Sequence, residues 1–199
     1  MTTSKSEKTR LHIIETAAPF FNKKGYADTS LSDITAATGL TKGAIYGNFE
    51  NKDELALAVF DYNLSQMNKS RDQATAEISD PIEKLLAITS FYRSEYRNVS
   101  HRGGCPVMNA AVEADDNFPA LKTRVKASIR GWKKIFTQLI ESGKKQHQIN
   151  TKASAEEYAT LIIAMIEGGI MLSKAMDDQS QLNITLDKLD EIIRADLKP

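Results

Sequence analysis

Apolar residues recur every three or four positions along most of the chain, which is the spacing that places them on one face of an α-helix. No stretch alternates apolar and polar residues as a β-strand does, and no segment is repeated or of low complexity. The pattern therefore predicts an all-α protein. The predicted apolar faces begin at Leu11, Leu31, Ala44, Leu55, Ile82, Leu121, Tyr158 and Leu182.

Capping residues mark where these helices begin. Ser4 with Glu7 has the spacing of a capping box, and the helix after it carries its apolar residues at Leu11, Ile14, Ala17, Ala18 and Phe21. The other predicted starts are Ser30 with Asp33, Thr41, Asn51 with Glu54, Asp80 with Pro81, Phe118 with Pro119, and Ser154 with Glu157. We predict a loop over residues 99–104, a short helix over Cys105–Ala114 that Asp115, Asp116 and Asn117 end, and a long helix that ends near Gln148.

Two of the predicted helices are short and lie between Ser30 and Asn48. Gly39 falls where a glycine turns the chain after the first helix, and Thr41 caps the second. Two short helices around such a turn indicate a helix-turn-helix motif, whose second helix enters the major groove of DNA. The first turn of that helix, Thr41 to Ala44, is small, polar or basic, as this placement requires. A plain helical hairpin inside a larger bundle is the alternative that this pattern leaves open.

A longer set of residues around this motif carries a family resemblance. From Arg10 to Leu55 the chain resembles the N-terminal domain of TetR/AcrR-type transcriptional regulators. The matching residues are Ile14, Ala17, Phe20, Phe21, Gly25, Tyr26, Thr29, Ser30, Ile34, Gly39, Leu40, Thr41, Lys42, Gly43, Ile45, Tyr46, Phe49, Lys52 and Leu55. The resemblance implies a helix-turn-helix DNA-binding domain over residues 1–52, with three helices, and a larger helical domain for ligand sensing and dimerisation over residues 53–199.

The resemblance also implies which residues meet DNA. The residues that match Tyr46 and Lys52 hold phosphates in the family, those that match Thr41 to Ala44 face bases, and the one that matches Ser30 touches the backbone. Gly47 and Asn48 stand where the family often has an aromatic or basic residue and a histidine. Asn48 still carries a hydrogen-bonding side chain, whereas Gly47 carries none. The predicted DNA-binding residues are Ser30, Thr41, Lys42, Gly43, Ala44, Tyr46, Asn48 and Lys52.

Charge and composition narrow the class of protein further. The net charge is zero, with +2 over residues 1–52 and −2 over the rest, so DNA affinity has to come from a few placed contacts on two copies of the chain. A single cysteine excludes an intramolecular disulfide and suits a reducing cytosol. The start of the chain lacks the apolar core of a signal peptide, and the longest apolar run, Leu161–Leu172, is too short to span a bilayer. We expect a cytoplasmic protein without a membrane partner.

Catalytic and metal-binding motifs are not found in the sequence. His12, His101 and His147 fall on different predicted elements and have no ligand spacing between them. Glu113, Asp115 and Asp116 form a charge cluster at the end of a helix. No nucleotide-phosphate loop or nucleophile elbow is present. We therefore predict no metal, no cofactor and no enzymatic activity.

Aromatic residues and methionines in the second half of the chain are candidates for a ligand pocket between helices. A ligand held by such side chains is largely apolar or aromatic. The predicted ligand-binding residues are Phe91, Tyr92, Tyr96, Cys105, Met108, Trp132, Phe136 and Met165. Cys105 has two interpretations: a small buried thiol whose helix start is fixed by Pro106, or a thiol that senses oxidants or electrophiles, as in some members of the resembled family.

The predicted helix after Ser154 is apolar nearly all round, so it has to be covered on two faces. Gly168 and Gly169 permit close approach of another helix, and the last helix adds a stripe of Leu182, Leu186, Leu189 and Ile193. We expect a homodimer formed through these last two helices.

Taken together, the sequence predicts a homodimeric transcriptional repressor that a small, largely apolar ligand releases from a palindromic DNA operator. One alternative is a redox- or electrophile-responsive regulator that acts through Cys105. A second alternative is a helical interaction or enzyme module that does not bind DNA.

Overall fold

A computed structural model gives the structure of the protein and describes residues 4–114 and 118–199. Within these residues the chain forms nine α-helices and no β-strand, which confirms the predicted all-α class. The helices are α1 (Lys5–Lys24), α2 (Leu31–Thr38), α3 (Lys42–Tyr46), α4 (Lys52–Thr75), α5 (Pro81–His101), α6 (Pro106–Glu113), α7 (Pro119–Lys145), α8 (Ala155–Ala175) and α9 (Ser180–Asp196).

The predicted capping residues begin several of these helices. Ser4 and Ser30 each complete a capping box, in which the serine hydroxyl accepts from the third helical N–H and the acidic side chain accepts from the serine N–H. Ser154 accepts from the N–H of Glu157 at the start of α8. At Asn51 the predicted box forms only in part. Its amide oxygen accepts from the N–H of Glu54, but the Glu54 carboxylate accepts from the N–H of Glu50 instead.

Two predicted helix ends were wrong. The predicted loop over residues 99–104 is shorter, because α5 continues to His101 and the chain turns at Gly103 and Gly104, where φ is 102° and 95°. Helix α7 ends at Lys145, before the predicted Gln148. His147 adopts a left-handed conformation with φ of 56°, and the N–H of Gln148 then donates to the carbonyl of Gly143. Asp115, Asp116 and Asn117, predicted to end α6, lie outside the described residues.

The buried face of α1 differs by a small rotation from the predicted one. Leu11 was predicted to face inward but is 47% exposed, whereas Ile13 is completely buried. Ile13 and Ala17 lie four residues apart and share the buried face with Phe21. A pattern with apolar residues at both Leu11 and Ile13 fits two helix rotations, and packing against other helices selects one of them.

The chain divides into two compact units. The first consists of Met1–Met67 and Arg102–Val125, and the second consists of Asn68–His101 and Lys126–Pro199. The unit boundaries fall inside α4, at the end of α5 and inside α7. The functional boundary after residue 52 stays a prediction. Residues 102–125 belong to the compact unit of the predicted DNA-binding helices although they are distant from them in sequence.

Close packing of α8 against α9 forms a large part of the second unit. Gly169 is buried, and a Cβ atom there would lie 2.2 Å from Thr185 Oγ1 and 2.8 Å from Leu182 Cδ1. Ser173 accepts a hydrogen bond of 2.7 Å from the N–H of Leu182. The stripe of Leu182, Leu186, Leu189 and Ile193 is completely buried within this single chain. The expectation that this stripe offers a surface to a partner was therefore wrong.

The apolar residues that α8 and α9 leave exposed are different ones. They are Leu161, Met171 and Leu172 on α8, Met176 directly after it, and Ile184 on α9. Helix α8 is long and apolar enough to cross a membrane by length and composition, a property that the core helices of soluble proteins share. About a third of this stretch is buried within the described residues, and α9 is one of the helices that α8 contacts.

Candidate DNA-binding surface and ligand cavity

Helices α2 and α3 form a helix-turn-helix around Gly39. Gly39 has φ of 68°, a left-handed conformation that glycine adopts without strain, and its N–H donates to the carbonyl of Thr35. Two residues later the Thr41 hydroxyl accepts from the N–H of Ala44 and begins α3. These local hydrogen bonds hold the two helices at a fixed turn.

The exposed side of α3 carries the side chains that the sequence assigned to DNA. Thr41, Lys42 and Gly43 are exposed, and Tyr46 is 52% exposed. Ala44 is half-buried. The opposite side of this segment is fixed in the core through Ile45 and Phe49, which are 1% and 2% exposed. Helix α3 therefore presents a polar surface while its apolar residues prevent rotation.

Three other predicted DNA contacts already have partners inside the protein. The Ser30 hydroxyl accepts from the N–H of Asp33 and donates to its carboxylate, so its proton is engaged. Asn48 Nδ2 donates to the carbonyl of Ala44 at 2.9 Å, which leaves the second N–H of its amide group. Lys52 Nζ donates to the carbonyl of Ala27 at 2.7 Å and keeps two further N–H donors.

The Asp33 carboxylate in this region has a strongly lowered pKa. Lys24 Nζ lies 2.7 Å from its carboxylate, which also accepts from the N–H and hydroxyl of Ser30. The Lys24 hydrogen bond, followed by the bonds from Ser30, lowers the pKa of Asp33 to about 2. The contact joins the end of α1 to the first turn of α2.

Arg10 fixes the segment after α3, a role that was not predicted from the sequence. Its guanidinium lies 4.0 Å from the centroid of the Phe49 ring and donates to the Asn48 carbonyl and, at 2.7 Å, to the Glu54 carboxylate. The pKa of Glu54 is lowered, first by its bond from the N–H of Glu50 and then by Arg10. Nothing in the local pattern around Arg10 indicates this role, because its partners lie 38 and 44 residues away.

The peptide of Ala27 connects α6 to the predicted phosphate-binding lysine. Its N–H donates to the Glu113 carboxylate at the end of α6, and its carbonyl accepts from Lys52. Glu113 also fills the space beside Gly25, where a Cβ atom would lie 2.8 Å from a carboxylate oxygen. The sequence placed Glu113 in a charge cluster at a helix end, whereas the structure gives it a specific partner 86 residues away.

A second polar network joins α1 to the start of α6. Asn22 is 5% exposed and donates to the carbonyls of Arg102 and Gly104 at 2.7 and 3.0 Å. Asn109 donates to the backbone and side-chain oxygens of Asn22, each at 3.1 Å, and to the carbonyl of Gly103. These bonds satisfy backbone groups in the turn between α5 and α6.

The predicted ligand-binding residues do not form one cluster. Tyr92, Trp132 and Phe136 line one cavity of about 10 Å³ in the second unit. The other residues that line it were not predicted; they are Arg71, Ile163, Ile166 and Glu167. Phe91 lines a separate polar groove of about 410 Å³ with Ser70, Gln73, Ala74, Ala87, Ser90, Ser94 and Glu95.

The remaining predicted ligand residues lie elsewhere. Tyr96 is 6% exposed in α5, and Met165 is half-buried in α8. Cys105 and Met108 belong to the first unit. Cys105 is completely buried before Pro106, which occupies the first turn of α6. This burial agrees with the packing interpretation of the thiol; the sensing alternative stays a prediction.

The fold and the α2–α3 surface define a helix-turn-helix regulator followed by a helical domain. Two family models match the chain: "Bacterial regulatory proteins, tetR family" over residues 13–59, and "Tetracyclin repressor-like, C-terminal domain" over residues 81–189. The protein belongs to the TetR family of DNA-binding transcriptional regulators. Proteins of this family bind DNA operators and act as dimers with small-molecule effectors.

Individual relatives match over nearly the whole chain. The HTH-type transcriptional regulator YxaF of Bacillus subtilis (strain 168) is 30% identical over 93% of this chain and 95% of its own length. The transcriptional repressor DhaR of Mycobacterium sp. (strain GP1) is 24% identical over 87% and 86%. The crystal structure of a TetR regulator from Chloroflexus aurantiacus J-10-FL is 36% identical, with a TM-score of 0.93 and 98% of each chain covered.

Proposed function

We propose that the protein is a homodimeric repressor that binds a near-palindromic operator and leaves it when a small ligand binds. In this proposal residues 1–52 bind DNA, and residues 53–199 sense the ligand and form the dimer in the cytoplasm. The observation that carries the proposal is the division of α3 into a buried apolar side and an exposed polar side. The repressor DhaR, which matches most of the chain, supports the sign of regulation.

The DNA contacts follow from the exposed side of α3. The Lys42 side chain is exposed and makes no hydrogen bond or ion pair with the described residues, so its ammonium group is available to a base edge or a phosphate. The exposed Gly43 adds no side chain that would keep the backbone away from the groove. Tyr46 and Lys52 supply hydroxyl and ammonium donors for the phosphates on either side. Ser30, Thr41, Ala44 and Asn48 complete the proposed surface.

The dimer surface is the exposed apolar side of α8. Leu161 and Leu172 are 37% and 40% exposed and lie eleven residues apart, which places them on the same helix face within about 20°. Gly168 lies on this face, and a Cβ atom there would meet no atom within 4 Å. A partner helix can therefore approach closely at Gly168, whereas Gly169 already serves the contact with α9.

The test is operator binding by fluorescence anisotropy on DNA from the protein's own upstream region. Lys42→Ala removes a charged contact and should weaken specific binding by about 1–3 kcal/mol. Tyr46→Phe removes one neutral phosphate hydrogen bond, worth about 0.5–1.5 kcal/mol. Lys52→Ala removes one phosphate contact from each protomer, so it should reduce the salt slope of the dimer by about two.

Lys69→Ala is the matched control, since Lys69 is an exposed lysine of α4 outside this surface. It should bind the operator like the wild type. The proposed surface is wrong if Lys42→Ala and Lys52→Ala also bind with wild-type affinity. Absence of a shift with any upstream fragment at several salt concentrations would favour a module that does not bind DNA.

A further inference from the structure

A buried arginine lies beside the aromatic cavity of the second unit. Arg71, on α4, is 4% exposed, and it lines the cavity together with Tyr92, Trp132 and Phe136. Its guanidinium donates through Nε at 3.0 Å and through Nη2 at 2.7 Å to one oxygen of Asp72. The remaining nitrogen, Nη1, donates to none of the residues that the structure describes.

The ion pair with Asp72 does not offset the free energy that Arg71 loses by leaving water. Burial of a guanidinium is strongly unfavourable unless a well-placed anion compensates for the lost hydration. The Asp72 side chain is 66% exposed, so water screens its attraction for Arg71. Asp72 is also the next residue in the chain and occupies only one edge of the guanidinium fork. The Glu167 carboxylate lines the same cavity, but among the described residues only Asp72 forms a hydrogen bond or ion pair with the Arg71 guanidinium. An anion at Nη1 would therefore complete the compensation.

Apolar and aromatic side chains line most of the cavity beside Arg71. Tyr92, Trp132, Phe136, Ile163 and Ile166 provide flat and branched apolar walls. Trp132 is itself oriented, because its Nε1 donates to the Asn68 amide oxygen at 3.3 Å. The lining therefore combines one cation, Arg71, and one carboxylate, Glu167, with a wall suited to a planar apolar body.

We propose that the effector of this regulator is a small aromatic monoanion, whose carboxylate binds the Nη1 edge of Arg71 and whose ring packs among the aromatic residues. This proposal rests on the proposed function for its regulatory meaning. Glu167 lines the same cavity, so a second negative charge on the ligand would be repelled. A carboxylate suits a guanidinium because two parallel N–H donors match its two oxygens.

The cavity has to enlarge when such a ligand binds. Its volume of about 10 Å³ holds roughly one water molecule, far less than an aromatic ring needs. The ligand therefore binds a state in which the surrounding side chains have moved apart. A ligand that prefers this state shifts the population toward it, and this preference is what an effector requires.

Trp132 provides the measurement, because it is the only tryptophan in the chain and lines the cavity. Quenching of its fluorescence is followed with benzoate and 1-naphthoate, with their neutral amides, and with the dianion phthalate. The wild type should bind each monoanion about ten- to a hundredfold more tightly than its amide, the ratio expected for a charge-assisted hydrogen bond. Phthalate should bind more weakly than benzoate.

Variants separate a ligand contact from a structural ion pair. Arg71→Gln should abolish the preference for acid over amide, and Arg71→Lys should keep part of it, since the charge remains but the planar fork is lost. Asp72→Asn removes the existing ion pair and should keep the full preference. Glu167→Gln should improve phthalate binding relative to benzoate. Thermal unfolding followed by circular dichroism shows which variants are folded. If Arg71→Gln does not fold, a reduced preference for acid over amide in Arg71→Lys is the test of the Arg71 contact.

The inference is overturned if neither acid quenches saturably, if acid and amide bind equally, or if Arg71→Gln and Asp72→Asn reduce the preference alike. Operator binding is measured separately with labelled DNA. If the acids bind but operator affinity does not change, the ligand site stands and ligand-induced release fails. If the operator is bound but no acid is, the proposed DNA-binding function stands and only this ligand class fails.

Discussion

The substitution Gly169→Ala tests the close packing of α8 on α9. A Cβ atom at Gly169 would lie 2.2 Å from Thr185 Oγ1 and 3.3 Å from Leu182 Cα. The threonine hydroxyl donates to the Leu182 carbonyl at 2.8 Å, so moving this side chain costs a hydrogen bond. The Leu182 Cα atom is backbone and moves only with α9. We therefore expect the two helices to be forced apart.

The magnitude follows from a comparison with Gly131→Ala. Gly131 lies in α7, where a Cβ atom would meet nothing within 4 Å. Alanine is more favourable than glycine inside a helix by up to about 1 kcal/mol, and this gain is common to both variants. It cancels in the difference, which leaves the overpacking cost of about 1–3 kcal/mol at Gly169. Gly131→Ala should be stabilised, and Gly169→Ala should be less stable than it by that amount.

The assay is thermal and urea unfolding of both variants at one protein concentration, because the proposed dimerisation would make the melting temperature depend on concentration. For a chain of this size a difference of 1 kcal/mol corresponds to roughly 2–4 °C. If the Gly169→Ala variant proves as stable as the Gly131→Ala variant, the packing argument is refuted. Gly168→Ala adds a test of the dimer surface: it should match Gly131→Ala in the monomer and lower the dimer fraction in sedimentation experiments.

Two further predictions concern the first unit. Asn22→Ala removes the donor to the Gly104 carbonyl, a buried contact, and to the Arg102 carbonyl, a part-buried contact that water can replace. It should reduce the free energy of unfolding by about 1–3 kcal/mol, the cost of one unsatisfied buried group, as measured by urea denaturation; unchanged stability would contradict it. Folding lowers the pKa of Asp33 to about 2, so its contribution to stability is present above about pH 4 and is lost as the pH falls toward 2. Asp33→Asn should therefore flatten the dependence of the free energy of unfolding on pH between about pH 4 and 2. An unchanged profile would show that Asp33 does not titrate in this range.

Long-range polar contacts give residues 102–114 a structural role in the first unit. Glu113 holds the peptide of Ala27, while Asn109 holds the end of α1 through Asn22. The carbonyl of Ala27 in turn accepts from Lys52, a proposed phosphate contact. The proposed DNA-binding surface thus depends on residues that lie far from it in sequence.

The sequence by itself determined the features that arise between near neighbours. The capping boxes at Ser4 and Ser30, the left-handed turn at Gly39 and the cap at Thr41 all use hydrogen bonds between residues three or four positions apart. Their residue types therefore specify them before any tertiary contact forms. The same local pattern carried the family resemblance and the exposed polar side of α3.

Tertiary structure decided which of several apolar faces is buried and which charged residues meet. Leu11 and Ile13 each fit an inward face, and only packing placed Ile13 inside. Gly168 and Gly169 are the same residue type and cannot be distinguished in the sequence, but packing against α9 buries only Gly169. Arg71 lies in a polar stretch of α4, and its burial beside Trp132 depends on a helix about 60 residues away. Such contacts join surfaces from distant segments, so no local rule specifies them.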